Sequence, residues 1–258
     1  MIHSKLQTLL WFLERPQLYR ELMGRIVKQV FPRSFKPQDR QQEMLLWCGE
    51  RYLDTSRVLQ QLTGLESVTP LADLFPDTWQ NATQRQESCP VNMGGAGNLE
   101  LLYGCAEYLQ ALRVIETGVA YGWSSFALLL SLHNRPGGQL ISTDMPYPKR
   151  NNDPYVGCVV PESLRSNWHL IRCADRQGLP QALKLVEQID LCHYDSDKSY
   201  EGRMWAYPLL WEALRPGGFF ISDDIGDNVA FRDFAAQVQG DPIVVGQDGK
   251  YMGILVKP

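Results

Sequence analysis

The chain has 258 residues, 44% of them hydrophobic and 10% aromatic, with a formal net charge of −4. That length and apolar fraction suffice for one large α/β domain with an appendage. The acidic balance argues against a nucleic-acid partner, whose footprint is a basic face, and no apolar run reaches the roughly 18 residues of a membrane span.

Six cysteines, at 48, 89, 105, 158, 173 and 192, include no CxxC pair. This pattern suits reduced thiols in a soluble cytoplasmic protein better than a disulfide framework or a zinc site. The short apolar run "LLWFL" ends in "ERP" with no small-residue cleavage site, so it does not read as a signal peptide.

Residues 1–65 predict helices. Leu6, Leu9, Leu10 and Leu13 share one apolar face, and Pro16 can open a second helix at its first position. Tyr19, Leu22, Met23, Ile26 and Val30 continue the helical period until "FPRSFKPQD" breaks it. A third helix carries Leu45, Cys48, Tyr52, Leu59 and Leu62 on one side. This appendage is expected to pack on the main domain or on a second copy, which makes it the candidate surface for a homodimer. Residues 66–96 read as a connecting loop ending in "PVNMGGAGN".

From 97 to 258 helix and strand alternate. "LELLYGCAEYLQAL" is a helix, "RVIETG" a strand, "WSSFALLLSL" a helix and "GQLISTD" a strand. "WHLIRC" and "IDLCHYD" are further strands, followed by the helix "GRMWAYPLLWEAL" and the strand "GFFISDD". The tail "PIVVGQDGKYMGILVKP" reads as a hairpin around a Gly- and Asp-containing turn. The expected fold is α/β: a doubly wound, mostly parallel seven-stranded sheet with a C-terminal antiparallel hairpin.

"VIETGVAYGWSS" places Glu116, Gly118, Gly122 and Ser124 between the first strand and its helix, in the spacing E-x-G-x-x-x-G-x-S. Glycines let the backbone approach a ligand, and the helix N-terminus beyond offers unpaired N–H groups. The spacing does not fit G-x-G-x-x-G, and there is no P-loop lysine, so a dinucleotide or diphosphate is disfavoured. Asp144 closes the second strand, where an acid usually accepts hydrogen bonds from ribose hydroxyls. A nucleoside bearing a carboxylate group near the glycines meets both requirements, and S-adenosylmethionine fits that description. Tyr121 and Trp123 flank the loop and are candidate pocket walls.

On these residues the sequence resembles class I methyltransferases of Rossmann-like fold. "ETGVAYGWS" is similar to the first motif of the cation-dependent O-methyltransferases of the catechol and caffeoyl-CoA type. The resemblance covers about residues 90–258. It implies that Glu116, Gly118, Tyr121, Gly122 and Ser124 contact the cofactor, with Asp144 on the ribose. It also implies that Ala174 and Asp175, in "RCADRQGLP", border the adenine.

Asp195 ends the fourth strand, and Asp223 with Asp224 ends the fifth. In a parallel sheet these ends are neighbours, and three uncompensated carboxylates repel one another. A hard divalent cation with oxygen ligands, Mg²⁺ above all, resolves the repulsion. "DSDKSY" is similar to the caffeoyl-CoA enzymes' metal-ligand motif, and "SDD" to their Asp–Asn pair, with Asp224 standing where they have Asn. The three-aspartate set resembles the macrocin-type sugar O-methyltransferases. The resemblance implies Asp195, Asp223 and Asp224 as metal ligands, Asp195 also at the cofactor, and Lys198 as the base that deprotonates an acceptor hydroxyl.

Lys198 has the simpler alternative of pairing with Asp197 on the surface. His193 reads as a packed core residue, His133 and His169 as structural, and Asp227 as a candidate helix cap. The long stretch 145–168 is a candidate acceptor-binding loop through Tyr147, Lys149, Arg150 and Tyr155. The expectation is a metal-dependent O-methyltransferase of a small molecule, either sugar or polyphenol. The alternatives are a metal-independent methyltransferase and a non-catalytic cofactor-binding scaffold.

Overall fold

A computed structural model of the protein describes residues 2–30, 37–64, 68–147 and 152–258. Seven strands form one sheet: β1 (Arg113–Thr117), β2 (Gln139–Thr143), β3 (Trp168–Ile171), β4 (Ile189–Tyr194), β5 (Leu214–Ser222), β6 (Ile243–Gln247) and β7 (Lys250–Val256). Their order is β3-β2-β1-β4-β5-β7-β6. The first five are parallel, and β7 runs antiparallel to both β5 and β6. Strand order reverses between β1 and β4, the position at which open α/β sheets bind ligands.

The helices are α1 (Ile2–Leu13), α2 (Tyr19–Val30), α3 (Pro37–Gly49), α4 (Thr55–Thr63), α5 (Leu71–Leu74), α6 (Pro76–Glu87), α7 (Leu99–Tyr108), α8 (Trp123–Leu132), α9 (Asp175–Leu185), α10 (Tyr200–Ala213) and α11 (Ala230–Gln237). Successive strand residues point to opposite faces, and each face has its own core. Val114, Leu191 and Phe219 pack with Leu59, Cys105 and Phe126 of α4, α7 and α8. Ile115, Cys192 and Phe220 pack with Met44, Leu179, Tyr207 and Phe234 of α3, α9, α10 and α11. Strands buried on both faces explain why their sequences are nearly continuous apolar runs.

The N-terminal expectations change in two places. The single third helix is two helices, because Asp54 caps α4 by accepting the Arg57 N–H at 2.9 Å. Between them Leu53 pairs with the edge strand, donating to Val244 O at 2.9 Å and accepting from Gly246 N at 3.0 Å. Residues 37–63 therefore belong to the domain core and cover the β6 edge. Residues 66–96, read as loop, contain α5 and α6, and Pro76 is the first residue of α6, where its missing N–H costs nothing.

Helix α1 and the short turn Pro16–Leu18 after it make a smaller cluster in which Phe12 and Leu18 bury against Ala174, while Leu10, Leu13 and, on α2, Met23 stay exposed. Asp227 does not cap α11. It lies 3.9 Å from Arg203 Nη2, and Asn228 Oδ1 accepts the Ala230 N–H instead. No helix among the described residues is long and apolar enough to cross a membrane.

Candidate active site

The hydrogen-bond ladder of the sheet runs one residue beyond each strand and lines up the residues that matter. Asp144 N donates to Ile171 O, Gly118 N to Thr143 O, Asp195 N to Thr117 O and Asp223 N to Tyr194 O, all at 2.8–3.0 Å. Asp144, Gly118, Asp195 and Asp223 thus stand side by side at the carboxyl edge of β2, β1, β4 and β5. A cavity of about 560 Å³ opens over them, within the range that holds small ligands.

On one side lies the glycine loop. Gly118 has φ +83°, and a Cβ there would lie 2.1 Å from the Asp195 carbonyl oxygen. Only glycine permits the β1 and β4 ends to approach this closely. Val119, Ala120, Tyr121, Trp123 and Ser124 line the cavity beyond it. Asp144 also lines it, with Oδ1 accepting the Val119 N–H at 2.9 Å and Oδ2 paired with Arg172. Burial raises the Asp144 pKa, opposed by the Val119 N–H and the Arg172 charge.

On the other side are the acids. Asp195, Asp223 and Asp224 each place a carboxylate oxygen within 4.8 Å of the others, a metal-ligand cluster found nowhere else among the described residues. Asp224 sits in the left-handed region at φ +47°. Asp and Asn tolerate that conformation best among residues with side chains, which accounts for Asp at a position where the resembled enzymes hold Asn. The buried Arg203 donates to the carbonyls of Asp223 and Asp224 at 3.1 and 2.9 Å and fixes their turn.

Burial and the charges of Asp223 and Asp224 push the Asp195 pKa up to about 6. Its Oδ1 is buried and accepts no hydrogen bond. A hard-oxygen set with an orphaned buried oxygen fits a divalent cation.

Lys198 completes the cluster differently from either sequence-based alternative. Its ammonium pairs with Asp224 Oδ2, 26 residues away, and lies 3.3 Å from Asp195 Oδ1 without hydrogen-bond alignment. Asp197 turns back to accept the Ser199 N–H. Burial favours the neutral amine, but the carboxylates of Asp195, Asp224 and Asp223 outweigh it and raise the Lys198 pKa. In this arrangement the surrounding carboxylates hold the Lys198 side chain as an ammonium.

Four residues predicted at the cofactor lie elsewhere. Glu116 is fully buried, its Oε2 accepting from Ser125 at 2.5 Å and Ser142 at 2.7 Å, and it braces β1, β2 and α8 from behind the cavity. Gly122, at φ +93°, caps α8 against Gly157. Asp175 turns inward to accept Ser196 Oγ at 2.5 Å, and burial raises its pKa to about 6. Ala174 packs on Phe12 and Leu18. A short polar motif cannot reveal which way its side chains face, and here they face the interior.

Tyr147 reaches the cavity; Tyr155 lines a separate groove with Cys89 and Cys158; Lys149 and Arg150 lie outside the described residues. His193, read as core, is buried but forms part of the cavity floor. Its Nδ1 stands 3.7 Å from Glu116 Oε1, too far for a hydrogen bond. Burial opposes its protonation, yet Glu116 and the charges of Asp195 and Asp223 together prevail and raise its pKa.

The sequence reading missed two walls: Met93–Asn98, and the hairpin tip with Gln247, Asp248 and Lys250. "NMGGAGN" was available as a signal, since a glycine run feeding a helix N-terminus suits close approach to a ligand.

Residues 115–225, from β1 to the turn after β5, match the model of a family described as a methyltransferase domain. No curated protein matches the sequence. Among solved structures, the chain is similar to an O-methyltransferase from Bacillus cereus in complex with SAH. The TM-score is 0.53 at 15% identity, over 78% of this chain and 98% of that one. It is also similar to the O-methyltransferase TomG from Streptomyces achromogenes, involved in tomaymycin synthesis and solved with SAM, at TM-score 0.55 and 20% identity over 73% and 94%. A third is CalS11, a TDP-rhamnose 3'-O-methyltransferase of calicheamicin biosynthesis, at 0.51 and 15% over 70% and 93%.

The architecture is thereby set as the class I, Rossmann-like fold shared with those structures, and residues 115–225, under half of the chain, match the methyltransferase-domain model. The solved structures that share the fold include O-methyltransferases bound to SAH and to SAM.

Proposed function

We propose that the protein transfers the methyl group of S-adenosylmethionine to a hydroxyl of a small molecule, with a divalent cation held by Asp195, Asp223 and Asp224. The observation that carries this reading is the trio of carboxylate oxygens within 4.8 Å, sharing one cavity with the glycine loop. When bound, the ion would supply Lewis-acid stabilisation of the acceptor's developing oxyanion.

The chain's own residues do the rest. Gly118 to Ser124 offer backbone and side-chain contacts to the cofactor, and Asp144 retains acceptor capacity for ribose hydroxyls. Lys198, tethered at the edge of the acid cluster, contributes positive charge to the acceptor side of the cavity. The sheet edge holds both reactants close, which lowers the entropic part of the barrier. A sugar or polyphenol is the acceptor class this reading favours, and the resemblance to TomG and CalS11 supports a natural-product tailoring step. Six unbridged thiols support a reducing, cytoplasmic setting. The exposed apolar residues of α1 and α2 support contact with a second copy.

A second reading has its own observation. Lys198 already compensates two of the carboxylates, so methyl transfer without a metal is the competing mechanism. Calorimetric titration of S-adenosylmethionine, followed by turnover on a hydroxyl-acceptor panel with Mg²⁺ or with EDTA, separates them. The metal-dependent reading expects cofactor binding in both conditions and turnover only with Mg²⁺; full turnover in EDTA leaves the second reading standing.

Asp144→Asn tests the ribose contact. Loss of a charged hydrogen-bond acceptor is expected to weaken cofactor affinity by about 10–100-fold. Unchanged affinity by the same calorimetry removes Asp144 from cofactor binding.

A further inference from the structure

Taking the metal site of the proposed function as given, we infer that Lys198 is a tethered competitor for that site. Its ammonium pairs with two of the three carboxylates, so a divalent ion binds only by displacing it. The pairs are Asp224 Oδ2 and, at 3.3 Å, Asp195 Oδ1. Those two side chains come from the ends of different strands, and an ion bridging them must occupy the space the ammonium now fills, hydrogen-bonded to Asp224 Oδ2 and beside Asp195 Oδ1 without alignment.

The backbone keeps the competitor in place. The carbonyl of Lys198 accepts a hydrogen bond from Asn228 Nδ2 at 2.7 Å, and the next residue, Ser199, donates its N–H to Asp197 Oδ1 at 3.0 Å and caps α10. A side chain anchored this way meets the acids at a high effective concentration, as any tethered ligand does. The head group can nevertheless leave, because the Lys198 side chain is 42% exposed and its four-carbon stem is flexible. Lys250, 3.9 Å from Asp224 Oδ1, approaches the same carboxylate from the hairpin and is 69% exposed. It is the weaker partner, by distance and by exposure.

The charges show why competition results rather than simple coexistence. A divalent ion and an ammonium at contact distance from the same two carboxylate oxygens repel each other, and both cannot occupy the one position between those oxygens. Intrinsic divalent affinity is therefore held down until something else favours the ion. An acceptor hydroxyl that adds its own oxygen to the cluster does so, and this couples metal binding to substrate binding through mass action.

The test uses the full chain without cofactor or acceptor. Mn²⁺ is titrated and followed by the paramagnetic resonance signal of the free ion, and Mg²⁺ is followed by calorimetry. Lys198→Met keeps the stem and removes the charge; it is expected to tighten Mn²⁺ binding on the order of tenfold, the effect of losing one direct charge competitor. Lys198→Arg retains the charge and is expected to bind as weakly as the parent. Asp224→Asn added to Lys198→Met should abolish the gain, which assigns it to this cluster.

Equal or weaker affinity in Lys198→Met overturns the competition while the metal reading stands. Absence of ion binding in the parent and in every variant overturns the metal reading, and the competition with it. Thermal melts of the variants exclude misfolding as the cause of a lost signal.

Discussion

Asp195→Asn is expected to lower methyl transfer by roughly 10³-fold or more, with S-adenosylmethionine affinity nearly unchanged. The amide matches the carboxylate in shape, and the backbone bond that seats the residue, Asp195 N to Thr117 O at 2.9 Å, is untouched. Only the charge and the orphaned oxygen are lost. Asp195 is the one acid of the trio flanked by both neighbouring strand ends, since β4 lies between β1 and β5. Its removal therefore unlinks the acid cluster from the glycine loop. Asp223→Asn is expected to do less, because Asp223 Oδ1 is already taken by the Asp224 N–H at 2.8 Å. Rates on an accepted hydroxyl substrate, with cofactor affinity measured in parallel, decide the matter. An Asp195→Asn protein within about tenfold of the parent rate would remove this carboxylate from the chemistry.

The cluster was legible in the sequence because strand ends carry a simple rule. A buried apolar run that stops at an acid, in a sheet read as parallel, places that acid at the ligand edge. "IDLCHYD" and "GFFISDD" obey it, and the register Tyr194↔Ser222 makes the two ends level. The glycine loop and Asp144 were legible for the same reason.

Side-chain direction was not. Glu116 stands level with His193, two residues short of the Gly118–Asp195 row, so although it shares the acids' face its carboxylate is engaged inside the fold by Ser125 and Ser142. Lys198 was harder still, as Asp197 is adjacent in sequence while Asp224 is adjacent in space. Helix α6 was hidden by Pro76, since a proline marks loops and helix starts equally well. The walls contributed by Met93–Asn98 and by the hairpin tip depend on contacts among segments about 150 residues apart, a distance at which local patterns carry no information.

Gly118→Ala is expected to damage stability and cofactor binding together. The added Cβ would meet the Asp195 carbonyl oxygen at 2.1 Å and its carbon at 2.8 Å. Both atoms are backbone, so no side chain can swing away to make room. The φ of +83° adds a conformational penalty, since a residue with a Cβ avoids that region. Strain and overpacking together cost roughly 3–5 kcal/mol, which for a chain of this size lowers Tm by about 10 °C. The displacement runs in two directions. Toward β1 it shifts Val119 and Ala120, whose N–H groups hold Asp144; toward β4 it moves Asp195 off the line shared with Asp223 and Asp224. Thermal melting should therefore fall, S-adenosylmethionine affinity should fall with it, and Mn²⁺ affinity should change even though no ligand atom is altered. A Gly118→Ala protein that melts with the parent and binds the cofactor normally would show that the β1 and β4 ends are not packed against one another, and the juxtaposition of cofactor loop and acid cluster would be lost with that contact.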